Sequence, residues 1–121
     1  MDSLAALHNF WSSFSIPAYD ENTVPDGAPL PRITYNKAVP EPFSNTMLTA
    51  SIWYRSTSWV DITQKMYEIY RAIGPGGKKI DFDGGQIWLR RDNSFVTSVP
   101  DEDPAIRRYF LNVVAEFQTA D

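Results

Sequence analysis

The sequence predicts an α+β domain, a mostly antiparallel sheet of about five strands with two helices packed on one of its faces. Three observations carry this. Apolar residues from Trp59 to Ile73 recur at helical spacing and stop at Gly74-Pro75. Five other segments alternate apolar and polar residues with a period of two, as half-buried strands do. A Gly84-Gly85 pair between two of those segments marks a tight turn, which favours antiparallel pairing.

The first helix begins at Ser3, a suitable N-cap, with Asp2 beside the positive helix end and Leu4, Leu7, Trp11 and Phe14 at three- and four-residue spacing. Pro17 ends it. From Pro17 to Pro31 four prolines and three acids are interspersed with the apolar anchors Tyr19, Val24 and Leu30, which reads as a long extended loop. A loop of that length is uncommon in a compact domain unless it is functional or ordered by a partner.

Arg32 to Lys37 alternates about Ile33 and Tyr35, with Pro40 and Pro42 closing the strand. Met47 to Arg55 is a second strand, with Leu48, Ala50, Ile52 and Tyr54 toward the core. Ser58 then caps the main helix, Asp61 lies in its first turn, and Trp59, Ile62, Met66, Ile69, Tyr70 and Ile73 form one stripe assigned to the core. A hairpin follows, Ile80 and Phe82 before the glycine turn and Ile87 and Leu89 after it. After a polar loop through Asp101, Glu102 and Asp103, residues 105–117 fit two patterns. Tyr109, Leu111, Val113, Ala115 and Phe117 give the alternation of a long strand, which we favour, whereas Ile106, Phe110, Val113, Val114 and Phe117 fit a helix.

The 121 residues suit one domain, 1–121, and with 43% apolar and 14% aromatic residues the chain has core material enough to fold. Its formal charge of −4 disfavours a general nucleic-acid binder, which depends on phosphate neutralisation. Without cysteine there is no disulfide framework, thiolate metal site or cysteine nucleophile. The segment Met1 to Phe14 lacks the features of a signal peptide, and no stretch approaches the roughly 20 apolar residues of a membrane span, so the expectation is a soluble chain made in the cytoplasm with no membrane partner.

Nothing in the pattern spells out catalysis. His8, the one histidine, has no nucleophile or orienting acid marked beside it and reads as a helix-surface residue. Asp81 and Asp83 fail the spacing of a calcium loop, because aligning either following glycine puts Lys79 or Ile80 at the first ligand position. The run Gly74-Pro75-Gly76-Gly77-Lys78-Lys79 follows a helix and lacks the Ser or Thr of a phosphate loop. Asp101, Glu102 and Asp103 read as a solvated loop. The expectation is a protein that is not an enzyme and uses no cofactor or metal.

The strand pattern leaves Trp53, Trp88, Phe110 and Val114 on the sheet face away from the helices. This face is either a contact surface or is covered by the first helix or the proline loop. Lys78, Lys79, Arg90 and Arg91 gather at one end of the hairpin, as protection for a sheet edge or as a basic contact patch.

Finally, Ile16-Pro17-Ala18-Tyr19, Val24-Pro25, Pro31-Arg32-Ile33-Thr34-Tyr35, the strand with Ile52-Trp53, the helix Trp59 to Ile73, Trp88-Leu89-Arg90-Arg91 and Arg107-Arg108-Tyr109-Phe110 follow one another along nearly the whole chain. In this order they resemble the tail terminator, or tail completion, proteins of long-tailed bacteriophages. The resemblance implies a virion subunit of the tail or neck, forming a homo-oligomeric ring, usually a hexamer, on the tail tube. Its implied partners are the tail tube protein and a head completion or connector protein, with DNA passing through the lumen without specific binding. It carries no residue-level motif, so Trp53, Trp88, Arg90, Arg91, Lys78, Lys79, Phe110 and Tyr19 are interface candidates taken from the sheet face, the hairpin end and the proline loop. The alternatives are another ring protein of the neck, and a cytosolic module binding a peptide or single-stranded nucleic acid on the aromatic face.

Overall fold

The computed structural model describes residues 1–37 and 41–119. Helix α1 (Ser3–Ser12) is followed by strands β1 (Ala18–Asp20), β2 (Arg32–Tyr35) and β3 (Asn45–Arg55), helix α2 (Val60–Ile73), and strands β4 (Lys78–Phe82), β5 (Gly85–Val99) and β6 (Ile106–Thr119). The six strands form one sheet in the order β1-β2-β3-β6-β5-β4. Of the five strand pairs among the described residues, β1–β2 alone is parallel. The sheet is therefore mixed, with one strand more than expected.

The extra strand is β1, inside the segment read as a loop. Its three residues pair with β2 and bury Ala18 beside Ile33, while the rest of the proline-rich segment has no regular structure. The pairing of β2 ends at Tyr35, short of Lys37, and Pro40 lies outside the described residues.

Residues 105–117 do form a strand. In β6, Leu111, Val113, Ala115 and Phe117 are all buried on the helix side, and β3 pairs with it along its whole length, from Asn45↔Glu116 to Arg55↔Ile106. Burial of one complete face fixes the register, since a slip of one residue would expose all four. On its other side β6 pairs with β5, which runs ten residues past Leu89 through a register shift between Arg91 and Val96. The hairpin turn consists of Asp83 and Gly84, because Phe82 pairs with Gly85. Gly84 takes the left-handed conformation (φ +91°), whereas Gly85 lies within β5 with no room for a Cβ, which would stand 2.1 Å from the Gln118 carbonyl oxygen.

Both helices cover the same sheet face. Asp2, and not Ser3, caps α1 by accepting the Ala5 N–H at 2.8 Å. In α2 the N-cap position is Trp59, and Ser58 Oγ accepts from Val60 N–H one position early. Ile62, Met66, Ile69 and Ile73 are buried as the stripe predicts, each burial contributing roughly 1.5–3 kcal/mol. Trp59 and Tyr70 depart from the stripe, lying at its margins and exposed. Helix α1 touches both β4 and β1, which are opposite ends of the sheet, so the sheet curls until its two edges meet one helix. Lys65 of α2 donates to the carbonyl of Phe14, just past the end of α1, and to Glu68 on its own helix.

Candidate functional site

Pairing across the sheet fixes which side chains share the face opposite the helices. One row runs Tyr19, Thr34, Ser51, Phe110, Thr97, and the next Arg32, Trp53, Arg108, Val99. At the other end, Lys79, Trp88 and Glu116 form a row beside Arg90, Val114 and Met47. Six of the eight interface candidates, Tyr19, Lys79, Trp53, Trp88, Arg90 and Phe110, thus lie on this outer face.

Lys78 and Arg91 do not. Lys78 pairs with Leu89 and is on the helix side, where it lines a recess beside α1 with Phe10 and Ile80. Arg91 reaches the end of α2, its Nε donating to the Gly74 carbonyl at 3.0 Å and its guanidinium carbon lying 3.7 Å from the centroid of the Tyr70 ring. The four basic residues share one end of the hairpin but are divided between its faces, as adjacent strand residues must be.

The outer aromatics are half-buried, and arginines lie over them; the first helix is on the other face, and the proline loop approaches only Trp53, across a cleft lined by Ala28 and Leu30. Trp53 Nε1 donates to Thr34 Oγ1 at 3.0 Å, and the guanidinium carbons of Arg108 and Arg32 lie 4.4 and 5.8 Å from its ring centroid. Arg108 is itself held by Nε and Nη2 donating to Ser51 Oγ at 3.1 and 3.0 Å. Ser51 and Thr34 are buried polar residues that are satisfied by this network. At the other end, Trp88 Nε1 donates to the Gly76 carbonyl at 3.0 Å, and Arg90 stacks 4.3 Å from its ring and reaches Asn45. Such guanidinium-on-indole contacts contribute about 0.5–1 kcal/mol each at exposed sites. Each indole thus carries a guanidinium over its ring.

Sequence reasoning overlooked Arg32, Arg108, Thr34 and Ser51, although their alternation with Ile33, Ile52 and Tyr109 placed all four on the outer face. A cleft of about 670 Å³ adjoins this network, walled by Ala28, Leu30, Arg32, Trp53 and Arg55. Asp101 at its rim, and Asp103, 3.5 Å from Arg55, give it mixed charge.

Bare apolar surface is found at three places. Tyr67 and Tyr70 on α2 and Val96 on β5 form one exposed group, Phe43 and Met47 are exposed near the start of β3, and Trp59 and Val60 at the start of α2, where Trp59 stacks on Tyr109.

His8 is exposed on α1, with Nδ1 2.7 Å from the Tyr35 hydroxyl and Nε2 3.3 Å from Ser12 Oγ. Burial, with a smaller contribution from the Asp20 charge, raises the Tyr35 pKa, so the hydroxyl is protonated at neutral pH. Among the described residues no three His, Cys, Asp or Glu side chains are grouped to hold a metal ion, and no helix is long and apolar enough to cross a membrane.

A chain in the virion of a native gene transfer agent particle matches 96% of this chain and 94% of its own length, with a TM-score of 0.67 and 15% sequence identity. The same fold occurs in a virion. The likeness takes in the curled sheet and both helices, and at this identity it is a likeness of fold. No family model matches the sequence, and no curated protein matches it.

Proposed function

We propose that this protein is a structural subunit of a phage-like particle and acts without catalysing a reaction. In this reading it is a tail terminator: copies form a ring, a hexamer by the family resemblance, on the finished end of the tail tube. The ring stops tube polymerisation and offers its other side to a head completion or connector protein, with DNA passing through the lumen unread. The observation that carries the reading is the near-complete match in fold to a chain of a virion particle. The order of short motifs from Ile16-Pro17 to Tyr109-Phe110 supports the narrower assignment. An outer sheet face with arginine–indole contacts, and exposed apolar patches at several places on the molecule, suit a subunit that meets several neighbours.

Light scattering of the purified protein, with negative-stain microscopy of the same sample, tests the ring. Closed rings of one size support it, whereas a monomer at every concentration that binds no tail tube contradicts it. Adding the protein separately to tails and to heads that lack a terminator distinguishes a tail terminator, which restores the tails, from another neck protein, which restores the heads.

A further inference from the structure

We propose that copies of this chain meet head to tail, the groove between α2 and the open edge of β5 receiving the Phe43–Met47 segment of a second copy. The inference rests on the ring reading above and names the contact that would build the ring.

Strand β5 is flanked by β4 only from Gly85 to Leu89; beyond that, its edge away from β6 has no strand partner among the described residues. Unpaired strand edges template further pairing, and proteins that keep them in solvent protect them with charge, proline or bulges. Here the seven residues Asn93-Ser94-Phe95-Val96-Thr97-Ser98-Val99 contain neither charge nor proline, and past the register shift between Arg91 and Val96 the edge is regular from Val96 to Val99. Five of them, all but Phe95 and Val99, are exposed. Alongside runs a groove of about 430 Å³ between Tyr67 and Tyr70 of α2 and Phe95 and Val96 of β5. Tyr67, Tyr70 and Val96 are 47, 37 and 36% exposed. An added strand would satisfy the edge and press alternate apolar side chains into the groove, the usual mode of β-augmentation.

The same chain carries a matching piece. Phe43 and Met47 are 59 and 51% exposed, and β3 is separated from β5 by β6. One edge of this segment is held by β6, where the Phe43 N–H donates to the Phe117 carbonyl, and its other edge has no strand partner before Ala50 among the described residues, so that edge would add to the second copy. Phe43 sits at φ +60°, a conformation that costs a bulky residue energy and that a contact would repay. Exposed Glu41 precedes it, and exposed Arg71, its guanidinium 5.9 Å from the Tyr67 ring, flanks the groove, so the charges are complementary. Two different patches of one subunit make a heterologous contact, which closes into a ring when its rotation permits.

The absence of cysteine makes the test specific. Met47→Cys and Val96→Cys are prepared as separate proteins and treated, alone and mixed, with a short thiol cross-linker. The proposal predicts a cross-linked dimer in the mixture and in neither protein alone, and a ladder from the double variant. Cross-linking of the Val96→Cys protein with itself would replace the head-to-tail contact by a two-fold one and overturn the proposal. Rings without the mixed cross-link would overturn it while leaving the ring reading intact; a monomer throughout would overturn both. Val96→Lys is expected to weaken assembly at least tenfold, with a melting temperature unchanged because the side chain is already exposed; unaltered assembly would also count against the contact.

Discussion

Arg90 and Arg91 are neighbours of equal charge that the structure gives different tasks, and Arg91→Met separates them. Arg91 caps the end of α2 through its bond to the Gly74 carbonyl and stacks on Tyr70. A hydrogen bond from a charged donor contributes roughly 1.5–3 kcal/mol. The cation–π contact adds about 0.5–1 kcal/mol at an exposed site. Since Arg91 is only half-buried, the lower ends apply, giving about 2 kcal/mol, a sizeable share of the roughly 5–15 kcal/mol typical of a domain. With a urea dependence of about 1.5 kcal/mol per molar, the unfolding midpoint should fall by about 1 M. The assay is urea unfolding followed by the fluorescence of the four tryptophans. Arg91→Lys should recover less than half of the loss, because lysine lacks the planar group that both contacts use. Arg90→Met, which removes only contacts to Trp88 and Asn45 on the outer face, should move the midpoint by a smaller amount. An Arg91→Met protein with an unchanged midpoint and lost assembly would refute this division.

Gly85→Ala should destabilise by about 1–3 kcal/mol or more, since its Cβ would stand 2.1 Å from the Gln118 carbonyl oxygen and force β5 away from β6; thermal unfolding reads this out. Ser51→Ala removes the acceptor of both Arg108 bonds and should cost about 1–3 kcal/mol in the same assay, with altered tryptophan emission as Arg108 shifts over Trp53. Asp20 accepts the Asn22 backbone N–H at 3.0 Å and pairs with Lys37 at 3.0 Å, which together hold its carboxyl below the ordinary value of 3.8 against the opposing effect of burial. A carboxyl lowered in the folded state stabilises above its unfolded pKa and loses that contribution as pH falls through the folded one. Asp20→Asn should therefore be less stable than the natural protein at pH 7, and the gap should close in unfolding curves taken below about pH 4.

The elements legible in the sequence were those whose burial follows one period. Ile62, Met66, Ile69 and Ile73 had only one face to occupy, and Leu111, Val113, Ala115 and Phe117 in alternation outweighed the helical reading of the same segment. Strand β1 was hidden because its three residues sit among prolines and owe their conformation to pairing with β2, a contact distant in sequence. The second half of β5 was hidden because Asp92 to Ser98 is mainly polar and exposed, held in the sheet by β6 on one side across a register shift. The separation of Lys78 from Lys79 and of Arg90 from Arg91 was available from strand parity alone. The arginine cover over Trp53 was not, since it depends on side-chain reach across three strands, whereas Arg90 and Trp88 are two residues apart on one face of β5.

Whether this protein ends a tail tube is decided by adding it to polymerising tail-tube protein of the same particle and measuring tube lengths by electron microscopy. A terminator gives shorter tubes whose length falls as the added protein rises, each bearing a ring at one end. Tubes of unchanged length with bare ends, at protein concentrations well above that of tube ends, would contradict the proposal.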